Sequence, residues 1–138
     1  MTLQATSTQG ATSFVQRALQ VDALFSGLSG LALSLASGPI SAFLGVDAPL
    51  ALVGVGLGLL AWTALLLLKV APSPVNPTLL WLVIEGNVLW VIISGLILFT
   101  GWLPLTTSGW WAVALVADVV AVFAVLQFYG LRRERAKG

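Results

Sequence analysis

Three carboxylates and three amides interrupt otherwise apolar stretches of this chain: Asp22, Glu85 and Asp118, with Gln20, Asn87 and Gln127. An acidic group inside a membrane span can carry a proton, pair with a cation or lock two helices together, and is by default a functional candidate. Much other chemistry is excluded. The chain has no Cys and no His, so it offers no thiol nucleophile, disulfide, thiolate metal site or imidazole. Its one Met is Met1, so the usual haem ligands are missing too. Haem and zinc are therefore disfavoured and no cofactor is expected, although a bound lipid or pigment fits the composition. No phosphate-cradling loop, nucleophile elbow or metal-spaced cluster is present. We expect a protein that is not an enzyme, with no catalytic or metal-ligating residues and no nucleic-acid partner. The candidate interaction or polar-lock residues are Asp22, Glu85, Asn87 and Asp118.

The elements that position them follow from composition. Of 138 residues, 59% are apolar and 8% are charged, against about 25% charged in a soluble domain. So few charges cannot cover a soluble surface, and disorder needs the opposite balance. The lipid bilayer is the expected partner. A spanning helix takes about 20 apolar residues, and four fit: about 14–38, 49–71, 77–100 and 108–130. We expect an all-α, single-domain, four-helix transmembrane bundle with a short interfacial helix between spans 1 and 2, over Pro39 to Asp47. Residues 1–13 are polar and small and read as a mobile tail, with Thr12 or Ser13 capping segment 1. Segment 2 starts at Asp47 or Ala48, with Pro49 in its first turn, and Pro72 stops it. Asn76 and Pro77 form a start signal for segment 3. Thr107 or Ser108 is expected to cap segment 4, and 131–138 read as a basic, wet tail.

An even number of spans puts both termini on one side. Arg17, Lys69, Arg132, Arg133, Arg135 and Lys137 all fall on that side, and only Asp47 lies opposite. The positive-inside rule makes the shared side cytoplasmic, so the expected location is the plasma (inner) membrane, with both termini inside. Trp102, Trp110 and Trp111 then belong to the outer interface, and Trp81 and Tyr129 to the inner one.

Asp22 lies about 8 Å along the helix from Arg17 and is expected to pair with it or with water at headgroup depth. It shares a face with Ser26, Ser29 and Leu33 that should turn toward protein. Glu85 sits about 12 Å into segment 3. Asn87 points about 160° away from it and shares its face with Ser94. One inward face cannot take both, so segment 3 is expected to contact something outside its own bundle. Asp118 lies on a heptad stripe with Ala114, Ala121 and Val125, where small residues allow close helix approach, and is expected at a tight helix contact. Gly54-x-x-x-Gly58 reads first as packing within the chain and second as dimerisation.

Four spans, an Arg-rich cytoplasmic end, a Gly/Ser-rich first span and an acid or amide in the third resemble, in layout, small four-span bacterial inner-membrane proteins of unknown function. That resemblance covers most of the chain and implies no activity. The layout is also similar to small multidrug transporters, but Asp22 stands nearer the membrane edge than their first-span Glu. The Asn- and Phe-containing pore pattern of small fluoride channels is not found. The expected function is an accessory or assembly subunit packing against a larger membrane complex, through other membrane subunits or self-association by span 3. The alternatives are a small homo-oligomeric transporter or channel using Glu85 or Asp118, and a binder of a lipid, quinone, carotenoid or other pigment.

Overall fold

The computed structural model describes the backbone of residues 2–72 and 75–137 and the side chains of residues 14–72 and 75–133. The described residues form helices and short connections with no strand. Helix α1 is Thr2–Leu35, α2 Ser37–Leu44, α3 Pro49–Leu65, α4 Pro77–Thr100 and α5 Thr107–Lys137. A π-turn, Leu66–Val70, extends α3. Four stretches are long and apolar enough to cross a membrane: Phe14–Leu35, Pro49–Val70, Pro77–Thr100 and Thr107–Arg133.

Local signals set most boundaries. Asn76 Oδ1 accepts from the Thr78 and Leu79 amides at 2.9 and 3.4 Å, satisfying donors that a helix start leaves free, and Pro77 follows as the first helical residue. Ala48 precedes α3 without a side-chain cap; Pro49 has no N–H to satisfy. The ends of the chain depart from expectation. α1 starts at Thr2 rather than near Phe14, so Thr12 and Ser13 lie inside it, and α5 continues to Lys137 rather than stopping near Gly130. Adding a residue to an existing helix costs far less than nucleating one, and neither extension contains proline. The side chains of residues 1–13 and 134–138 lie outside the described residues, as does capping by Thr12 or Ser13. α2 begins two residues before Pro39, which the first turn tolerates.

The helices pack as two hairpins. α1 lies along α3, α4 lies along α5, and α1 against α5 joins the pairs. α4 meets the second span through the π-turn and through Trp62, whose ring lies on Gly86. The main apolar core sits at the end of the bundle that carries the termini. Val15 and Leu19 of α1, Leu66 and Val70 of the π-turn, Leu80 and Val83 of α4, and Leu131 of α5 meet there. The π-turn places Leu66 and Val70 together in this core, both with no exposed surface. The carbonyl of Ala71, the residue that follows the π-turn, accepts from Gln16 Nε2 at 2.9 Å.

Between α1 and α3 the backbones nearly touch. A Cβ on Gly30 would stand 2.8 Å from the Gly56 carbonyl oxygen, and a Cβ on Gly56 would stand 2.8 Å from that of Gly30. The inward glycine of segment 2 is thus Gly56. Gly54 and Gly58 meet nothing within 4 Å, so the Gly54-x-x-x-Gly58 pattern faces outward instead of packing within the chain. Two residues along a helix amount to about 200° of rotation.

At the opposite, loop end, α2 is tied to the connection between α4 and α5. Gly45 ends α2 with φ 82°, a conformation that favours glycine. Thr106 Oγ1 donates to the Phe43 carbonyl at 2.6 Å and accepts from the Gly109 amide at 2.9 Å, while the Thr106 amide donates to Leu44 O at 2.9 Å. Thr106 therefore caps α5, in place of the expected Thr107 or Ser108. Thr106→Val keeps the shape and loses both hydroxyl bonds. It should lower stability by about 1–2 kcal/mol, read by equilibrium unfolding in mixed micelles, and an unchanged midpoint would show that the α2 tie adds nothing.

Candidate functional site

The inward faces of three helices converge on one polar cluster. Asp22 and Ser26, one turn apart on α1, meet Asn87 of α4 and Gln127 of α5. Asp22 Oδ2 accepts from Asn87 Nδ2 at 3.0 Å and from Gln127 Nε2 at 2.8 Å, and Oδ1 accepts from Ser26 Oγ at 3.1 Å. Asn87 Nδ2 also donates to Gln127 Oε1 at 2.8 Å. Gln127 is fully buried and Asp22 is 1% exposed. Every bond at Asp22 is one it receives, which suits a group whose oxygens act as acceptors. The cluster lies roughly 9–18 Å from the terminus-bearing ends of its spans, counting from Phe14, Pro77 and Arg133.

The expected pairing of Asp22 with Arg17 or water at headgroup depth is not what forms. Arg17 is exposed and Asp22 is enclosed. Five residues turn a helix by about 140°, so the two cannot share a face. Ser26 goes inward with Asp22, as the proposed stripe requires, while Ser29 is only half-buried. Asn87 and Ser94 take the inward face of α4, both buried, and Gln20 is exposed.

Glu85 and Asn87 do point apart. Asn87 closes the internal cluster, and Glu85 is exposed on the outer side of α4, with no hydrogen bond or ion pair among the described residues. Trp81, one turn earlier, is also exposed and packs on Phe128 of α5 with ring centroids 6.0 Å apart.

Asp118 corrects the expectation of a tight helix contact. It is exposed on α5, and the packed seam is Ala117, Val120, Ala124, Gln127 and Leu131. The small residues at 117 and 124 form the contact, one position before Asp118 and Val125. That single step turns the helix by about 100° and leaves Asp118 pointing away from the bundle. A carboxyl facing hydrocarbon costs about 2.5–3.5 kcal/mol at mid-span on insertion scales.

Aromatic clusters occur at both ends of the spans, with Phe25 and Phe123 paired between them at 5.7 Å. Trp110 stacks edge-on with Phe99 and Trp111 at centroid distances of 6.4 and 5.1 Å, and its Nε1 donates to the Leu98 carbonyl at 3.1 Å. At the terminus-bearing end, Arg132 lies 5.9 Å over Phe128, and Arg133 lies 5.9 Å over Phe14 and 5.7 Å over Tyr129. Two aromatic belts separated by an apolar band are what a bilayer selects.

The described residues contain no group of His, Cys, Asp and Glu able to hold a metal ion. Chemically, the arrangement offers a closed hydrogen-bonded lock inside and two carboxyl groups presented outward. The site also includes Gln127, an intramembrane amide outside the four candidate residues. Its one available signal was a polar side chain three residues before Gly130, on the face of Ala124 and Leu131. Comparison with family models, curated proteins and solved structures finds no match for this chain.

Proposed function

We propose that this chain is a non-catalytic integral membrane protein that serves as an accessory or assembly subunit of a larger membrane complex. The observation that carries the reading is Glu85: a carboxyl within a span, turned away from its own bundle and without a polar partner among the described residues. Such a group is costly against lipid, and a neighbouring polypeptide relieves the cost. The internal cluster supports the same reading, because its polar groups are already engaged with one another and hold three spans in register. The test is mild extraction from native membrane, followed by the mass and composition of the particle. A stoichiometric second polypeptide is the expected result. Copies of this chain alone would favour a homo-oligomeric transporter or channel, and a coloured or lipid-loaded monomer would favour a binder of apolar molecules.

The same proposal places both termini on the cytoplasmic side of the plasma membrane and α2 at the outer interface. It rests on the six Lys and Arg residues, which fall at the start of segment 1, at the end of segment 2 and after segment 4, and on the positive-inside rule. The chain has no Cys, so single cysteines introduced at positions 5, 74 and 136 should label only from the cytoplasmic side, and those at 47 and 106 only from outside. Labelling of position 136 from outside would refute this orientation.

A further inference from the structure

Glu85 of α4 and Asp118 of α5 are the two exposed carboxyl groups within the described spans, and Glu85 stands one turn from the exposed Trp81 at the α4–α5 seam. We propose that the outer face along this seam docks a membrane-spanning helix of another protein, one that bears a basic side chain within the membrane. The proposal deepens the subunit reading above and rests on it.

Two aromatic pairs define the face. Trp81 packs on Phe128 toward the terminus-bearing end, and Phe99 packs on Trp110 toward the loop end. All but Trp110 are exposed, so the α4–α5 seam is lined by rings at both ends. Glu85 follows Trp81 by one turn on α4, and Asp118 is exposed on α5 between the two ring pairs. The Asn87–Gln127 hydrogen bond fixes the register of the antiparallel helices. From it, Glu85 lies two residues toward the terminus-bearing end and Asp118 nine residues toward the loop end. The carboxyls are therefore about 16 Å apart along the bundle axis, within the length of one spanning helix.

Charge decides the occupant. Glu85 presents an acid beside this seam within the apolar band, and Asp118 presents a second one on the outward side of α5. Of the chain's own Lys and Arg, Arg17, Lys69, Arg132 and Arg133 lie toward the terminus-bearing ends of its spans and Arg135 and Lys137 follow the last span, and Arg132 is held over Phe128. A second copy would set carboxyl against carboxyl, and lipid tails offer no charge. A Lys or Arg on a foreign span supplies the missing partner, since charges inside membranes pair with one another.

The experiment uses the full chain in lipid vesicles with a synthetic Leu/Ala spanning peptide carrying one central Lys, and a control peptide with Leu in its place. Association is read by energy transfer between labels. The Lys peptide should bind about 3- to 30-fold tighter than the control, the range expected for one polar contact between spans. Glu85→Gln should erase that preference, and Glu85→Lys should transfer it to a peptide carrying Glu. Because Glu85 is exposed and has no polar partner among the described residues, neither variant removes a contact seen in the bundle, and unfolding midpoints check this. Equal binding of both peptides, or a preference that survives Glu85→Gln, would overturn the proposal. If native extraction yields a heteromeric particle while the peptides bind without regard to charge, the subunit reading stands and this face is not the charged dock. If extraction yields this chain alone, the subunit reading fails, whatever the peptides do.

Discussion

Asn87→Leu should destabilise the folded protein by about 1–3 kcal/mol, the cost of leaving buried polar groups unsatisfied. The Asn87 amide donates to both Asp22 and Gln127, so its removal takes one of three donors from the Asp22 carboxyl and the bond from Gln127 Oε1. Leucine is close to asparagine in size, so packing changes little. Gln127→Leu should cost a similar amount, since Gln127 Nε2 is another of those donors. The combined change Asp22→Leu, Asn87→Leu and Gln127→Leu should cost clearly less than the sum of the three singles, because it leaves no interhelical polar partner orphaned. Replacing both members of a buried polar contact is often close to neutral. Reversible unfolding of the four variants, by denaturing detergent or by trapping the unfolded state, measures this non-additivity. Strictly additive losses would mean that the side chains act independently and that the cluster is not a unit.

The second large effect is expected at the α1–α3 contact. Gly30→Ala and Gly56→Ala each put a methyl group within 2.8 Å of a backbone carbonyl on the other helix. Backbone cannot rotate away as a side chain does, so the helices must separate. Overpacking of this kind costs about 1–3 kcal/mol. Gly54→Ala and Gly58→Ala meet open space and should be neutral, or stabilising by up to about 0.5–1 kcal/mol through lower conformational freedom in the unfolded chain. The same unfolding assay separates the two pairs. A loss at Gly54 equal to that at Gly56 would show that the inward face of α3 has been misassigned.

These contrasts mark what could be read from the sequence and what could not. The spans were legible because an apolar run of fixed length has few alternatives, and the Asn76-Pro77 start because its chemistry is local. The divergence of Glu85 and Asn87 was legible for the same reason: two residues fix an angle on any helix. The partners of Asp22 were not, since they stand 65 and 105 residues away and nothing local selects them. Asp118 shows the harder failure. Small residues lie on two adjacent stripes of α5, at 114 and 121 and at 117 and 124. Periodicity alone cannot say which stripe turns inward. The tertiary structure decides, through the Thr106 tie at the loop end and the burial of Gln127 against α1 and α4. The cap of α5 was missed by one residue for a similar reason, because Thr106 is recruited by Phe43 O on a different element.

The internal cluster also has a consequence in time. Asp22 enters the membrane with the first hairpin, and its one acceptor contact within that hairpin is Ser26, a turn away. Its other two donors belong to the second hairpin. Gln127 is synthesised 105 residues after Asp22, an interval of about 5–20 s at ordinary rates of translation. Until the last span arrives, the nascent protein carries an acid that its own sequence has not yet satisfied. Arrival of α5 is thus what closes this cluster, and a product that ends before α5 keeps a carboxyl without its Gln127 donor.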